Sequence, residues 1–375
     1  MLLAEFQGKA LLRSAGVAVP HGILARNPAQ AAKGRIALPA AVKAQVGGGG
    51  RGKAGGVVRA ETREQLVAAA ERIFATEFSG ERPRAILIEP WLAIERELYL
   101  AVTVDGRAGG YVILYSPAGG IDVETGTPPL RYEVGPASNF RGDRLREVLR
   151  PVEADVALRE RLIGLARTLL RIAASHDCTT LEINPLAQLA DGSLVAADAK
   201  VVCDDSAAFR STDIAAAVEA ERRRQPPPIA RALANKLMLV WLDGDVGLIS
   251  SGAGMTMVTM DLIAAAGGEP ACFLDCSANP TPDGYRVAFN LLDRNPKVTV
   301  ILVTMFGNGV HIDRVARVMK EIMQKRRSKK PVVFRLNGTN AAKVPEVWAG
   351  TGLYNHATLE TAAEQAVALA QAAPP

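Results

Sequence analysis

Apolar runs alternate with helical patterns through the last third of this 375-residue chain, and this alternation constrains the fold more than any other feature. The runs resemble buried parallel strands and lie at 246–249, 271–274, 298–303 and 332–334. Segments of helical periodicity lie between and after them, at about 256–266, 283–293, 311–325, 339–349 and 358–372. Such an order predicts an α/β domain with a doubly wound parallel sheet.

Loops that contain glycine and small hydroxyl residues follow three of these strands, at 250–254, 275–281 and 306–310. In a doubly wound sheet, ligands bind at the carboxyl ends of the strands, where helix N-termini point. Such N-termini suit a carboxylate or a phosphate. The same residues are also ordinary helix caps, so the loops alone leave both interpretations open.

A glycine-rich, basic stretch at 43–56 is the main sign of ligand binding in the first half of the chain. It follows a short strand predicted at about 40–46 and contains seven glycines and three cations, with no acid. Glycine allows close approach of a ligand, and backbone amides beside lysine and arginine favour a polyphosphate. The stretch is neither a Walker A loop nor a dinucleotide fingerprint. A flexible surface loop with solvated charges is the alternative.

A β-hairpin is predicted from strands at 180–186 and 194–200 around the loop Ala190-Asp191-Gly192. If this is the common three-residue loop with glycine in the left-handed conformation, Leu189 pairs with Ser193. Counting outward from that pair fixes the register of the whole hairpin.

This register places polar side chains together on one face of the hairpin. Asn184 falls opposite Asp198, and Glu182 falls opposite Lys200. Mg²⁺ takes only one or two protein oxygens alongside nucleotide phosphates, so Asn184 and Asp198 are candidate metal ligands. The alternative is an exposed polar face with an ordinary cross-strand ion pair.

The remaining patterns give a coarse secondary structure for residues 1–230. A first helix is predicted near the N-terminus from an apolar stripe of Leu3, Phe6, Ala10 and Leu11. A second begins at a capping box of Thr62 and Gln65 and extends to about 78, and a third covers 155–175. The strands are predicted at 85–89, 97–104 and 111–114. Residues 117–150 indicate loops and a short helix, and 222–228, with three arginines and three prolines, indicates a stiff linker.

Composition excludes several functional classes. No run approaches the ~18 apolar residues of a membrane helix, and the N-terminus lacks a signal-peptide pattern. A net charge of +5 and 5% aromatic residues argue against nucleic-acid binding. The histidines lack metal-ligand spacing. The cysteines are Cys178, Cys203, Cys272 and Cys276. Because their spacing is not that of a disulfide framework, they predict a reduced, cytoplasmic location.

Seven stretches agree in order and spacing with one known family. They are Glu5–Lys9, Val42–Val46, Gly50–Gly56, Arg96–Leu100, Leu181–Leu186, Gly252–Gly254 with Thr259–Asp261, and Gly267–Ala271. Over nearly its whole length the chain resembles the β subunit of succinyl-CoA synthetase and related ADP-forming carboxylate–CoA ligases, malate–CoA ligase included. The resemblance implies an ATP-grasp module at 1–230, with its small lobe at about 21–95. A flavodoxin-like CoA-ligase domain at 238–375 would follow.

The resemblance also implies the reaction and its participants. In this family a carboxylic acid, CoA and a nucleoside triphosphate give acyl-CoA, the diphosphate and phosphate. The phosphoryl group passes through a histidine on a separate α subunit, which also binds CoA. Pro20 resembles the members that use ATP rather than GTP.

Site residues follow from the resemblance position by position. The nucleotide would be bound by Lys43, Gly50, Arg51, Gly52, Glu89, Leu92 and Glu97. Mg²⁺ would be bound by Asn184 and Asp198, and Glu182 would be the catalytic acid that orients the phosphorylated histidine. The acid substrate would be bound by Ser251, Asn308, Gly309 and Val310.

The chain departs from the family pattern at several positions. Gly47 replaces a histidine, Leu92 a threonine and Ser251 an asparagine, while 277–279 replaces a triple glycine and Asn308 a further glycine. Since most departures lie in the acid-binding half, they suggest a carboxylate other than succinate, such as malate or another short acid, or weaker catalysis. A nucleotide-binding regulatory subunit without phosphoryl transfer is a further alternative. An ATP-grasp carboxylate–amine ligase is disfavoured by the C-terminal domain.

Overall fold

The computed structural model describes residues 1–47, 52, 54–78, 80–120, 127–276 and 281–372. The chain forms two compact units, Met1–Val218 and Glu219–Pro375. The boundaries predicted for the two modules, 1–230 and 238–375, stay predictions. In the described part of the chain, no helix combines the length and the apolar character that crossing a membrane requires.

The N-terminal unit is mixed α/β. Its strands, within the described residues, are β1 (Ile23–Ala25), β2 (Ala40–Ala44), β3 (Val57–Ala60), β4 (Ile86–Pro90), β5 (Ile94–Asp105), β6 (Gly110–Ser116), β7 (Leu130–Gly135), β8 (Cys178–Leu189), β9 (Leu194–Ala196) and β10 (Lys200–Cys203). Its helices are α1 (Glu5–Ser14), α2 (Pro28–Lys33), α3 (Arg63–Ala75), α4 (Gly142–Leu149) and α5 (Val156–Ser175), and α6 (Thr212–Arg224) continues into the second unit.

A small antiparallel sheet runs in the order β1-β4-β2-β3. Val42 pairs with Ile88, and both are buried in the core that this sheet forms with α3. Because side chains alternate between the faces of a strand, Lys43 and Glu89 lie on the opposite face. The pairing of β2 with β4 therefore brings a cation and an acid onto one surface.

A larger antiparallel sheet runs in the order β10-β8-β5-β6-β7, and β9 also pairs with β8. Along β8, Leu181 and Ile183 are buried in the core that contains Leu162 and Leu169 of α5. Because side chains alternate between the two faces of a strand, Glu182 and Asn184 lie on the other face of β8. The apolar positions of one strand thus fix where its polar side chains are presented.

The C-terminal unit is a parallel sheet flanked by helices. Its strands are β11 (Met238–Trp241), β12 (Val246–Ser250), β13 (Cys272–Asp275), β14 (Val300–Gly307) and β15 (Val332–Gly338). Its helices are α7 (Pro227–Ala234), α8 (Ala253–Ala265), α9 (Pro282–Arg294), α10 (Ile312–Lys325), α11 (Val344–Val347) and α12 (Leu359–Gln371). The strand order is β11-β13-β12-β14-β15, with only β11 antiparallel among the described strands. The predicted α/β class, a doubly wound domain after a mixed first module, is confirmed.

Two sequence predictions are wrong in detail, and one strand was missed. Residues 117–150 include the strand β7, and β11 was not predicted at all. The expected linker is helical: its arginines form the last turn of α6, and its prolines begin α7. Proline is tolerated in the first turn of a helix, where its missing N–H has no partner to lose.

The buried face of α1 does not coincide with its apolar stripe. The helix forms, but it buries Glu5, Gly8, Lys9 and Leu12 rather than the apolar stripe. Two charged side chains are buried because oppositely charged groups from the small sheet meet them, as the site geometry shows.

Candidate functional site

A cavity of about 630 Å³ lies within the N-terminal unit. The predicted site residues that line it are Lys43, Gly52, Glu89, Leu92, Glu97, Glu182, Asn184 and Asp198. Gly50 and Arg51 lie outside the described residues. The structure therefore brings together, around one cavity, the described positions predicted for nucleotide, metal and catalysis.

A cluster of two lysines and two glutamates lies beside this cavity, and three of its members, Glu5, Lys43 and Glu89, line it. Lys9 Nζ lies 2.8 Å from Glu5 Oε1 and 2.8 and 2.6 Å from the two Glu89 oxygens. Lys43 Nζ lies 3.1 Å from Glu5 Oε1 and 2.8 Å from Glu89 Oε2. All four residues are at most 8% exposed. We call these residues the Lys9–Lys43 cluster; it balances two positive against two negative charges.

Both ammonium groups also donate to one backbone oxygen. The distances from the carbonyl oxygen of Ala197 are 2.7 Å for Lys9 Nζ and 2.6 Å for Lys43 Nζ. Gln45 extends the network, since its Nε2 donates to Glu5 Oε2 at 3.2 Å and its Oε1 accepts from the amide of Phe6 at 3.1 Å. The cluster therefore connects α1, the small sheet and the segment that follows β9.

The two lysines have opposite pKa shifts. Burial lowers the pKa of Lys9, the positive charge of Lys43 adds to this effect, and Glu5 and Glu89 offset it only in part. Burial also disfavours the charged form of Lys43, but the attraction of Glu5, Glu89 and Asp198 outweighs it and raises the pKa of Lys43. Lys43 is therefore the firmly cationic member of the pair, and it lines the cavity.

Lys9 and Glu5 were not singled out as site residues from the sequence. They are spaced four residues apart on α1, which places them on one helix face. Two charges on that face, next to the buried positions Gly8 and Leu12, were the available signal. Their partners are 38 to 80 residues away in the chain, so the sequence pattern of α1 alone could not identify them.

The predicted hairpin register is confirmed at both ends. The amide of Leu189 donates to the carbonyl oxygen of Ser193 at 3.0 Å, and Gly192 has the left-handed φ of +79°. At the other end, Lys200 pairs with Glu182. Turn geometry and the two-residue period of a strand were sufficient to fix these pairs.

The ladder is interrupted between these ends, where Asp198 lies between β9 and β10. There the amide of Ala197 donates to the carbonyl oxygen of Pro185 at 3.2 Å. Asp198 Oδ1 accepts from the amide of Ala199 at 2.7 Å. Asn184 exchanges two hydrogen bonds with Gly120, one from the Gly120 amide to Oδ1 at 2.6 Å and one from Nδ2 to the Gly120 carbonyl at 3.1 Å.

The oxygens of Asn184 and Asp198 fit Mg²⁺ in kind. A carboxylate and an amide oxygen are hard donors of the type that Mg²⁺ prefers, and this ion needs few protein ligands when phosphates supply others. Among the described residues, no three or more His, Cys, Asp or Glu side chains gather as a metal-binding group. The donor set thus suits a metal ion that a nucleotide shares, rather than one held by protein alone.

Glu182 has a second partner that the sequence did not indicate. The hydroxyl of Tyr99, on the neighbouring strand β5, forms a hydrogen bond with the Glu182 side chain. Burial raises the pKa of Tyr99 to about 12, and the negative charge of Glu182 and this hydrogen bond add to the effect. Tyr99 is buried, so it holds a donor hydroxyl at a fixed position beside the carboxylate.

The predicted acid-binding residues lie in the C-terminal unit, at the carboxyl ends of β12 and β14. Ser251 Oγ accepts a hydrogen bond from the amide of Phe306 at 3.4 Å, and Thr339 Oγ1 donates to the carbonyl oxygen of Asn308 at 3.3 Å. Since β13 and β14 lie on opposite sides of β12, the sheet reverses its strand order there. This is the point where open α/β sheets bind ligands. The segment 277–280 lies outside the described residues.

Two protein families match this chain. The ATP-grasp domain matches residues 2–188 and the CoA-ligase family matches residues 249–373. A solved structure of ATP citrate lyase from Methanothrix soehngenii, in complex with citrate and coenzyme A, has a TM-score of 0.72 to this chain. The alignment covers 98% of this chain and 99% of the ATP citrate lyase chain. Because the sequences are only 18% identical, the similarity shows a shared fold alone.

Full-length relatives are closer in sequence. The succinate–CoA ligase (ADP-forming) subunit beta of Ignicoccus hospitalis is 34% identical, and the alignment covers 100% of both chains. The subunit of the same name from Desulforapulum autotrophicum is 36% identical, over 98% of this chain and 100% of that protein. Identity at this level over 98–100% of the chain shows that it belongs to the family of the β subunits of ADP-forming succinate–CoA ligases.

Proposed function

We propose that the chain is the nucleotide-binding β subunit of an ATP- and Mg²⁺-dependent, ADP-forming carboxylate–CoA ligase. The observation that carries this proposal is that Lys43, Glu97, Glu182, Asn184 and Asp198 all line one cavity. Its volume of about 630 Å³ lies within the range of ~300–1,000 Å³ common for small-molecule sites. A separate α subunit, which would bind CoA and carry the phosphorylated histidine, is the proposed partner.

Within this cavity Lys43 would bind the phosphates of ATP. Its raised pKa keeps the ammonium charged, and charge neutralisation is the main requirement of phosphoryl transfer. Gly50, Arg51 and Gly52 would cover the phosphates, while Glu89, Leu92 and Glu97 would contact the rest of the nucleotide. Mg²⁺ bound by Asn184 and Asp198 would neutralise charge on the transferred group.

Glu182 would orient the histidine of the partner as it receives the phosphoryl group. In that step the bond between the γ-phosphorus and the bridging oxygen of ATP breaks, and a bond to an imidazole nitrogen forms. A carboxylate beside the imidazole stabilises the positive charge that the ring acquires. The hydroxyl of Tyr99 would hold Glu182 in place, and CoA and the acyl phosphate would react mainly on the α subunit and the C-terminal unit.

The acid that the enzyme uses is either succinate or another short carboxylic acid such as malate. Ser251, Asn308, Gly309 and Val310 would bind it at the reversal point of the parallel sheet. Ser251 and Asn308 differ from the family pattern, which favours an acid of different polarity. A cytoplasmic location stays a prediction.

ADP release with the cognate α subunit, CoA and a panel of acids tests the reaction. We expect CoA-dependent ADP release with one short acid above all others. Absence of CoA-dependent turnover with every acid would refute the assignment, and turnover driven by an amine without CoA would indicate a carboxylate–amine ligase.

Phosphorylation of the partner separates a catalytic subunit from a regulatory one. We expect ATP to label a histidine of the α subunit, and Glu182→Gln to reduce that labelling at least tenfold while ATP still binds. Glu95→Gln is the matched control, because Glu95 is exposed on β5 and does not line the cavity. ATP binding without any labelling would favour the regulatory subunit.

A further inference from the structure

Two buried cysteines face each other across neighbouring strands of the larger sheet. Cys178 is the first residue of β8 and Cys203 is the last residue of β10, and the two are paired in the sheet register. Their sulfur atoms are 3.8 Å apart, and the residues are 1% and 3% exposed. We propose that Cys178 and Cys203 form a peroxide-sensitive dithiol that oxidises to a cross-strand disulfide.

The backbone geometry suits this bond. Paired residues in antiparallel strands have Cα atoms about 4.5–5.5 Å apart, inside the range of about 4.4–6.8 Å found for disulfides. The sulfur atoms must approach from 3.8 Å to about 2.0 Å. The register shifts between Val202 and Cys203, so the ladder is locally irregular where this adjustment is needed.

The sequence alone gave no sign of this pair. The two cysteines are 25 residues apart and do not have the spacing of a redox motif. Glu182 pairs with Lys200, and the same register would place Thr179 opposite Cys203, whereas Cys178 is the residue that pairs with it. The one-residue irregularity before Cys203 accounts for the difference and brings the thiols opposite each other.

The two thiols are not equivalent. The hydrogen bond between the sulfur atoms, together with burial, raises the pKa of Cys178, whereas the same hydrogen bond lowers the pKa of Cys203. Cys203 is therefore the better nucleophile, with Cys178 as the resolving thiol. The other cysteines differ: burial raises the pKa of both Cys272 and Cys276, and the Cys272 thiol donates to the carbonyl oxygen of Leu248 at 3.5 Å.

The oxidation consumes one hydrogen peroxide molecule. The Cys203 thiolate attacks one peroxide oxygen, the O–O bond breaks, and the departing hydroxide takes up a proton to become water. The sulfur of Cys178 then attacks the Cys203 sulfur, the S–O bond of the sulfenic acid breaks, and a second water leaves with the Cys178 proton. Two thiols and one peroxide thus give one disulfide and two waters.

The bond would join the start of β8 to the end of β10 and so close the chain segment that contains the whole hairpin. Cross-linking residues this far apart restricts the unfolded chain, so the oxidised protein should be the more stable form. Neither effect depends on nucleotide binding or on a partner subunit.

Peptide mapping of the full-length protein tests the proposal. The reduced protein is treated with hydrogen peroxide in modest excess, quenched with catalase, denatured and alkylated with N-ethylmaleimide. We expect a cross-linked peptide pair that contains Cys178 and Cys203, two hydrogens lighter than the sum of its parts, with Cys272 and Cys276 still alkylated. The unfolding temperature should rise by several degrees on oxidation and return after treatment with dithiothreitol.

Variants provide the matched comparison. Cys178→Ser and Cys203→Ser should each lose the cross-link, whereas Cys272→Ser should retain it. Mapping of the wild-type protein decides the question even if a serine variant fails to fold. Alkylation of both Cys178 and Cys203 after peroxide treatment would overturn the proposal. So would over-oxidation of Cys203 without a cross-link, or disulfides distributed equally over all four cysteines.

Discussion

Replacing Lys9 with methionine should destabilise the protein strongly and leave nucleotide binding nearly intact. Lys9 and Lys43 share three acceptors: Glu5, Glu89 and the carbonyl oxygen of Ala197. Only Lys43 lines the cavity. The two lysines are therefore a matched pair. Replacing either one by methionine disrupts the same cluster, but only the replacement of Lys43 removes a charge from the cavity.

The magnitude follows from the contacts of Lys9. Its Nζ lies 2.6–2.8 Å from both oxygens of Glu89, from Glu5 and from Ala197, and its side chain is 3% exposed. Removing one partner of a buried ion pair leaves uncompensated charge and costs about 3–5 kcal/mol. Since whole domains are stable by only about 5–15 kcal/mol, Lys9→Met should remove a large fraction of the free energy of unfolding.

Lys43→Met should also destabilise the protein, but it should weaken ATP binding in addition. A charge-assisted hydrogen bond to a phosphate is worth about 1.5–3 kcal/mol, or roughly a 10- to 150-fold change in Kd. We expect Lys9→Met to change Kd less than about threefold. Urea unfolding followed by tryptophan fluorescence gives the stabilities, and titration calorimetry with ATP at low temperature gives the affinities.

A charge-balanced double variant keeps this test decisive if Lys9→Met alone does not fold. Glu5→Gln with Lys9→Met leaves one lysine and one glutamate, so it should cost about 1–3 kcal/mol less than the sum of the single changes. The reasoning fails if Lys9→Met is as stable as the wild type. It fails equally if Lys9→Met and Lys43→Met weaken ATP binding to the same extent.

Two further substitutions test the residues that hold the predicted catalytic and metal positions. Tyr99→Phe keeps the buried ring and removes the hydrogen bond to Glu182. Labelling of the partner's histidine should therefore slow about tenfold, while the affinity for ATP stays unchanged. An equal loss of labelling rate and of ATP affinity would contradict the positioning role. Gly120→Ala should cost about 1–2 kcal/mol and weaken Mg²⁺-dependent nucleotide binding, because Gly120 has a φ of +84° and an added Cβ would lie 2.5 Å from Glu97 Oε2. Gly106→Ala is the control, because no atom lies within 4 Å of its added Cβ. Equal free energies of unfolding for the two variants would refute the argument.

The hairpin shows what local rules can predict. The loop Ala190-Asp191-Gly192 determines the turn, the turn determines the pair Leu189 and Ser193, and the strand period extends the register to Glu182 and Lys200. The parallel sheet was predictable for a similar reason, because its strands are continuous apolar runs separated by helical periods. In both cases the information lies within a few tens of residues.

The buried charges show where such rules stop. The apolar stripe of α1 includes Phe6 and Leu11, yet Glu5 and Lys9 are more deeply buried. A buried charge is stable only with its partner, and the partners here come from β2 and β4. The linker prediction failed differently, because proline is unfavourable within a helix and favourable at its start, and only the position of the helix boundary decides between the two.

Ala197 connects the predicted phosphate site to the predicted metal site. Its carbonyl oxygen accepts from both Lys9 and Lys43, which it can do because the residue opposite it, Pro185, has no N–H to donate. Its amide donates to Pro185, the residue after Asn184, and Asp198 is the next residue in the chain. A backbone shift at Ala197 would therefore move a predicted metal ligand and change the acceptors of Lys43 at the same time. The predicted cationic and metal-binding groups are thus both connected to one backbone residue, Ala197, rather than placed independently.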